Sequence, residues 1–304
     1  MNKFKYILFL LLFTWISVSA QIPLQVLELP QGDTPTGYDE DTLRSWVLNR
    51  LHGGGGIIDT NSIKFIGDHQ ACGLFWNGID IGLNAGLVLS NGKVTSAATP
   101  NTGGFKSDVL GTPGDQDLLN MYNLLFGAMN LKDTAMQYTG DAAVIEFTYK
   151  PYGEEIVMDY VFASEEYPWN KQPDIDLTGF PVSNSQAFDL FAISIERPNQ
   201  FENSAILPET APPPGTPKPR RWVSVGTVNA NTLFSGHFVS NPTPPPNSQP
   251  LGTQFDGFTK RAGNQDPIYI RKRDVIPCTN YKVKIAIEDF YGFGNLCSVI
   301  RVYG

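Results

Sequence analysis

The sequence predicts an all-β protein, an antiparallel and jelly-roll-like β-sandwich with two short helices and long loops rich in proline and glycine. Three observations carry that expectation. The chain holds 29 glycines and 23 prolines with 12% aromatic residues, a composition of short strands and many turns. Apolar residues recur with a period of two in several segments, as they do in strands with one buried face. The clearest case is Asp141 to Asn170, which reads as a hairpin of two strands around the turn residues Pro151, Tyr152 and Gly153.

In the first strand of that hairpin, Ala143, Ile145, Phe147 and Tyr149 share one face and Val144, Glu146, Thr148 and Lys150 the other. The second, Ile156 to Ala163, is apolar on both faces apart from Asp159, which predicts a central strand covered on both sides. It stops at Ser164, Glu165, Glu166 and Tyr167, with Pro168 and Trp169 beyond. Adjacent carboxylates on an extended chain point to opposite sides, so at most one faces inward, where it needs a partner or a metal.

The N-terminus stands apart from the fold. Lys3 and Lys5 precede an apolar run from Tyr6 to Phe13, and Val18-Ser19-Ala20 supplies small residues for cleavage. Residues 1–20 read as a signal peptide and 21–40 as an extended leader, with one β domain over 41–304. No later segment has the apolar length of a membrane span. The expectation is an exported protein, extracellular, at the cell surface or periplasmic. Removing Lys3 and Lys5 moves the formal charge from −8 to −10. Such a surface argues against nucleic acid and suits divalent cations. Cys72, Cys278 and Cys297 allow one disulfide, and the sequence leaves its pairing open.

Along the domain, Asp41 or Thr42 is expected to cap a helix that aligns Leu43, Trp46, Val47 and Leu51. The run Gly53 to Gly56 closes it; no Gly-Lys-Ser/Thr follows, so it is no phosphate loop. Strands are expected at Ile57–Ile66 and Cys72–Asn77, with a third apolar segment at Ile79–Leu89 and a long polar loop from Ser90 to Gly114. Asp115 and Asp117 open a helical stretch. A helix cap is the favoured reading of Asp115 and a calcium-ligand pair the sharper one. Phe188–Ile195 reads as a buried strand with Asp189 on its apolar face, which is costly unless that carboxylate is paired. Proline-rich stretches near 208–219 and 242–250 read as insertions around short β segments at Trp222–Val228 and Phe234–Val239. Phe255 to Thr259, with Asp256, reads as a turn. Tyr281–Glu288 alternates cleanly and ends in Glu288-Asp289, and Ser298–Tyr303 closes the sheet.

These marks, in this order, resemble the choice-of-anchor L domain, a module of secreted and surface proteins in Bacteroidetes. The residues that carry the resemblance are GLVLSNG (86–92), GDQDLL (114–119), DAAVIEF (141–147), VFASEEYPWN (161–170), FDLFAISI (188–195), FDGFT (255–259) and YKVKIAIED (281–289). The resemblance implies an all-β surface module and no established reaction. No sorting domain, anchor motif or anchoring helix follows the module, so the sequence reads either as a released protein or as part of a longer one.

The functional expectation is a non-catalytic binding or adhesion module for an extracellular protein or glycan, stabilised by calcium. The candidate ligands are Glu165, Glu166, Asp189 and Asp289, then Asp115, Asp117 and Asp256; hard oxygen donors of this kind suit calcium. Tyr167 and Trp169 are the candidate ligand-binding aromatics. The alternatives are a carbohydrate-binding module, or a glycoside hydrolase with two carboxylates such as Glu165 and Asp189. His52, His69 and His237 lack metalloprotease spacing, and no Gly-x-Ser-x-Gly elbow occurs.

Overall fold

The computed structural model describes residues 23–99, 101, 108–120, 139–164, 190–197, 204, 235–241, 255–261, 263, 266–290 and 296–303. The described strands are β1 (Gln25–Glu28), β2 (Gly56–Ile66), β3 (Cys72–Trp76), β4 (Ala85–Ser90), β5 (Thr139–Pro151), β6 (Glu155–Ser164), β7 (Leu190–Glu196), β8 (Phe238–Ser240), β9 (Gly257–Thr259), β10 (Ile268–Arg273), β11 (Tyr281–Phe290) and β12 (Leu296–Tyr303). They form an all-β sandwich of antiparallel sheets. One sheet has the order β1-β3-β4-β12-β6-β9-β8, with β10 sharing the β6 edge with β9, and the other runs β2-β5-β11-β7.

The period-two pattern places the core correctly. Ile145, Phe147 and Tyr149 of β5 and Val283, Ile285 and Ile287 of β11 face Met158, Tyr160 and Phe162 of β6 in one cluster. The Phe191 ring of β7 lies 5.4 Å from Phe162 and 5.9 Å from Tyr160, joining the two sheets through aromatic contacts. The other face of β6 packs Val161 and Ala163 against Phe75, Val88, Phe255 and Phe258 in a second cluster. Thus β6 is central and covered on both faces, as its unbroken apolar run requires.

Several expectations change. Strands β5 and β6 are not a hairpin: β5 lies in the four-stranded sheet and β6 in the larger one, so residues 152–154 arch between layers. Each strand turns its apolar face to the other across the core, an arrangement that edge-to-edge pairing would forbid. Periodicity reports which face is buried and not which edge is paired. The helix α1 (Glu40–Leu51) starts earlier than expected and is capped by Asp39, whose carboxylate accepts the Thr42 N–H; its buried residues are the expected Leu43, Trp46, Val47 and Leu51. The Ile79–Leu89 segment divides into a 3-10 turn at Ile79–Ile81 and strand β4. Gly257–Thr259 is a short strand rather than a turn, and Gln25–Glu28 is a strand within the expected leader. Gly257 fits because the Phe238 ring and the Val239 carbonyl occupy the space a Cβ would need. Strand β10 has no counterpart among the expected elements. The segment Trp222–Val228 lies outside the described residues.

Cys72 is buried and Cys278 exposed, and both are free. Cys278 donates its N–H to Pro151 at the arch, whereas Cys297 pairs with Ser90 and Ala163 at the other end of the sandwich.

Candidate functional site

Register fixes which strand ends meet. Ser164 of β6 pairs with Leu296 and Gly257, Cys297 pairs with Ser90, and Asp289 and Phe290 pair with Gly140 and Thr139. Leu190 pairs with Glu288. Because the β5–β6 arch closes the opposite end, all these termini lie at one end of the sandwich. The connections 91–138, 165–189, 241–256 and 291–295 leave from there.

Two polar assemblies are built at this end. In the first, Asn101 Nδ2 donates to the Asn241 carbonyl and to Asp256 Oδ1, both at 2.7 Å, and Asn241 Nδ2 donates to the Phe255 carbonyl at 2.7 Å. The 91–138 connection is thereby tied to the 241–256 connection. Burial raises the Asp256 carboxyl above its ordinary range, and the Asn101 amide partly opposes this.

The second assembly is a charged layer on the outer face of the four-stranded sheet. Val144, Ala192, Ala286 and Glu288 point outward yet are inaccessible, so this face is covered. Segment 108–120 supplies part of that cover, with Leu118 and Leu119 buried. It is fastened by backbone groups. Asp141 accepts the Leu110 and Thr112 N–H groups with its two carboxylate oxygens, each at 3.0 Å, and Pro113 bridges Gly140. Asp141 has φ +51°, a left-handed conformation that Asp tolerates better than most side chains.

Beneath the cover, Lys284 Nζ lies 2.9 and 2.7 Å from the two Asp115 oxygens and 2.6 Å from Asp117 Oδ2. Burial alone would lower the Lys284 ammonium, but hydrogen bonds to Asp115 and Asp117 outweigh it and hold the group above its ordinary value. Glu146 is directly opposite both Lys64 and Lys284 in register. Lys64 Nζ and Lys282 Nζ each lie 2.7 Å from its carboxylate. Burial raises this carboxyl, yet Lys282 and Lys64 prevail and hold it below the usual range. Glu288 differs. It accepts the Asp115 N–H with Oε2, its Oε1 has no partner among the described residues, and burial pushes it up to about 8.

Of the expected site residues, Asp115 caps the helical turn over 116–120, its Oδ1 accepting the Asp117 and Leu118 N–H groups at 3.0 and 3.1 Å. The cation held by Asp115 and Asp117 is the Lys284 ammonium. Asp256 belongs to the asparagine knot, and Asp289 is buried at the same sandwich end. Glu165, Glu166, Tyr167, Trp169 and Asp189 lie outside the described residues. Among the described residues, no three His, Cys, Asp or Glu side chains come together in a metal-binding group.

The sequence reading missed Lys284, Glu146, Asp141, Asn101 and Asn241 as organising residues. Alternation put Glu146 and Lys284 on outward faces, where charge is ordinary, and nothing local signals that another segment covers them.

No helix among the described residues is long and apolar enough to cross a membrane. No curated protein matches the chain, and no solved structure matches it. A family model does. With the choice-of-anchor L domain model matching residues 36–300, the chain belongs to that family, membership that suggests a secreted or surface module.

Proposed function

We propose that the protein is a non-catalytic extracellular binding module whose recognition face is the loop-bearing end of the sandwich. The observation that supports this reading is that the strand ends bounding connections 91–138, 165–189 and 241–256 lie together at that end, with Asn101 and Asn241 tying two of the connections together. Long connections on a rigid sheet scaffold are the usual place for recognition. The fitting ligand class is an extracellular protein or glycan, with Tyr167 and Trp169 on the 165–189 connection as the aromatic contacts. Calcium held by Glu165, Glu166, Asp189 and Asp289 is the proposed stabiliser of the same end.

Two measurements test this. Glycan-array and immobilised-protein binding by the purified chain is expected to be saturable and weakened by Trp169→Ala. Binding that survives this change overturns the aromatic assignment, and turnover of a bound glycan overturns the non-catalytic reading. Thermal melts with EDTA, then with calcium returned, are expected to fall and recover; an unchanged melt removes calcium from the account.

A further inference from the structure

The geometry of the covered face points to a covalent link: we propose that Lys284 and Asp115 form an intramolecular isopeptide bond joining the 108–120 cover to β11. Lys284 Nζ sits 2.7 Å from Asp115 Oδ2 and 2.9 Å from Oδ1, with both side chains largely buried. A nitrogen bridging both oxygens of one carboxylate is within the near-attack range of roughly 3–3.5 Å from its carbon. Rotation about χ2, a soft torsion in Asp, turns the carbon face to the amine.

The surroundings supply what amide formation needs. Asp115 Oδ1 already accepts the Asp117 and Leu118 backbone N–H groups, which are placed to hold the oxyanion of a tetrahedral intermediate. The Lys284 ammonium passes a proton across its 2.7 Å contact to Asp115 Oδ2, leaving a neutral amine beside a neutral carboxyl group. The amine then attacks Asp115 Cγ, forming the C–N bond. Nitrogen gives its second proton to the same oxygen, the Cγ–Oδ2 bond breaks, and Oδ2 leaves as water. The ammonium and carboxylate thus become a neutral amide and one water, with no oxidant or cofactor required. Burial favours that direction, because a desolvated ion pair is costly and an amide is not charged. Asp117, more exposed than Asp115, remains a carboxylate and orients the lysine.

The bond fixes the cover to the four-stranded sheet, in a chain whose Cys72 and Cys278 are free thiols. Denaturing intact-mass spectrometry of the purified chain tests it, with Lys284→Arg as the comparison. The expected result is a wild-type mass below its sequence value by one water, full sequence mass for the variant, and a branched peptide joining Asp115 to Lys284 on digestion. A wild-type chain at full sequence mass overturns the proposal, as does a water loss mapped elsewhere, such as a succinimide at another aspartate. The wild-type measurement decides the matter whether or not the variant folds.

Discussion

Glu146 and Lys284 stand directly opposite each other on β5 and β11, both outward-facing and both nearly inaccessible. Before the link forms, their burial places three carboxylates, of Glu146, Asp115 and Asp117, around one central ammonium, with Lys64 and Lys282 reaching Glu146 from its flanks. The layer is therefore balanced only while Lys284 is present.

Replacing Lys284 with methionine keeps the length and the apolar stem of the side chain and removes its charge. Asp115 then lies buried without a counter-ion, and the cover loses its central attachment. Breaking a buried pair from one side costs about 3–5 kcal/mol, and the variant also lacks the Asp115–Lys284 link proposed above. Urea denaturation at neutral pH is expected to show a loss of at least that size in Lys284→Met. A loss within experimental error would mean that Asp115 finds water or another donor. Lys64→Met removes a lysine that is more than half exposed and is expected to cost far less.

The pH dependence follows from Glu288. Its folded value, up from 4.5 to about 8 through burial, means that the native state holds a proton that the unfolded chain has released between those values. Its stabilising contribution is fully present below 4.5, falls as pH rises, and is lost on passing about 8. Glu288→Gln keeps the shape and cannot ionise. Denaturation midpoints from pH 5 to 9 are expected to decline less steeply in the variant than in wild type, with the variant more stable at the alkaline end. Parallel curves would show that Glu288 does not titrate in this window.

How much of this was legible depends on which physics each residue obeys. Ile145, Phe147, Val283 and Ile285 were readable because burial of one strand face is a local, periodic property. Asp115 was readable as a cap for the same reason: its partners, the Asp117 and Leu118 amides, are its sequence neighbours. The partners of Lys284, Asp141 and Asn101 lie tens of residues away or more. Pairing over such separations is set by topology. The hairpin expected at 151–153 failed on the same point, since two strands that bury facing surfaces look alike whether they share a sheet or span the core.

Asp141 combines a left-handed backbone with two accepted hydrogen bonds from the cover. Asp141→Ala loses both acceptors and puts a Cβ-bearing residue without local compensation at φ +51°. The backbone term alone is roughly 1–2 kcal/mol, and the orphaned Leu110 and Thr112 amides add about 1–3 kcal/mol each where they stay dry. Asp141→Gly removes the first cost and retains the second. Chemical denaturation is therefore expected to rank wild type above glycine and glycine above alanine. Equal losses in the two variants would leave the hydrogen bonds as the whole effect.

Tyr160 and Tyr38 make opposite predictions for the same chemical deletion. Both rings are buried, but the Tyr38 hydroxyl accepts the Phe65 N–H at 3.0 Å, whereas the Tyr160 hydroxyl has no partner among the described residues. Burial raises both phenols; the Phe65 amide opposes this at Tyr38, and no hydrogen bond does so at Tyr160. Tyr38→Phe strands a backbone donor inside the protein and is expected to cost about 1–3 kcal/mol. Tyr160→Phe removes an oxygen that was desolvated without compensation, leaving the ring against Phe191 unchanged. Its stability is expected to stay within about 1 kcal/mol of wild type, on the stabilising side, because an unmade buried hydrogen bond no longer opposes folding. Thermal and urea unfolding of the two variants side by side separate the cases. A large loss in Tyr160→Phe would reveal a hydrogen bond to an ordered water in the core, and that water would then be the feature to locate.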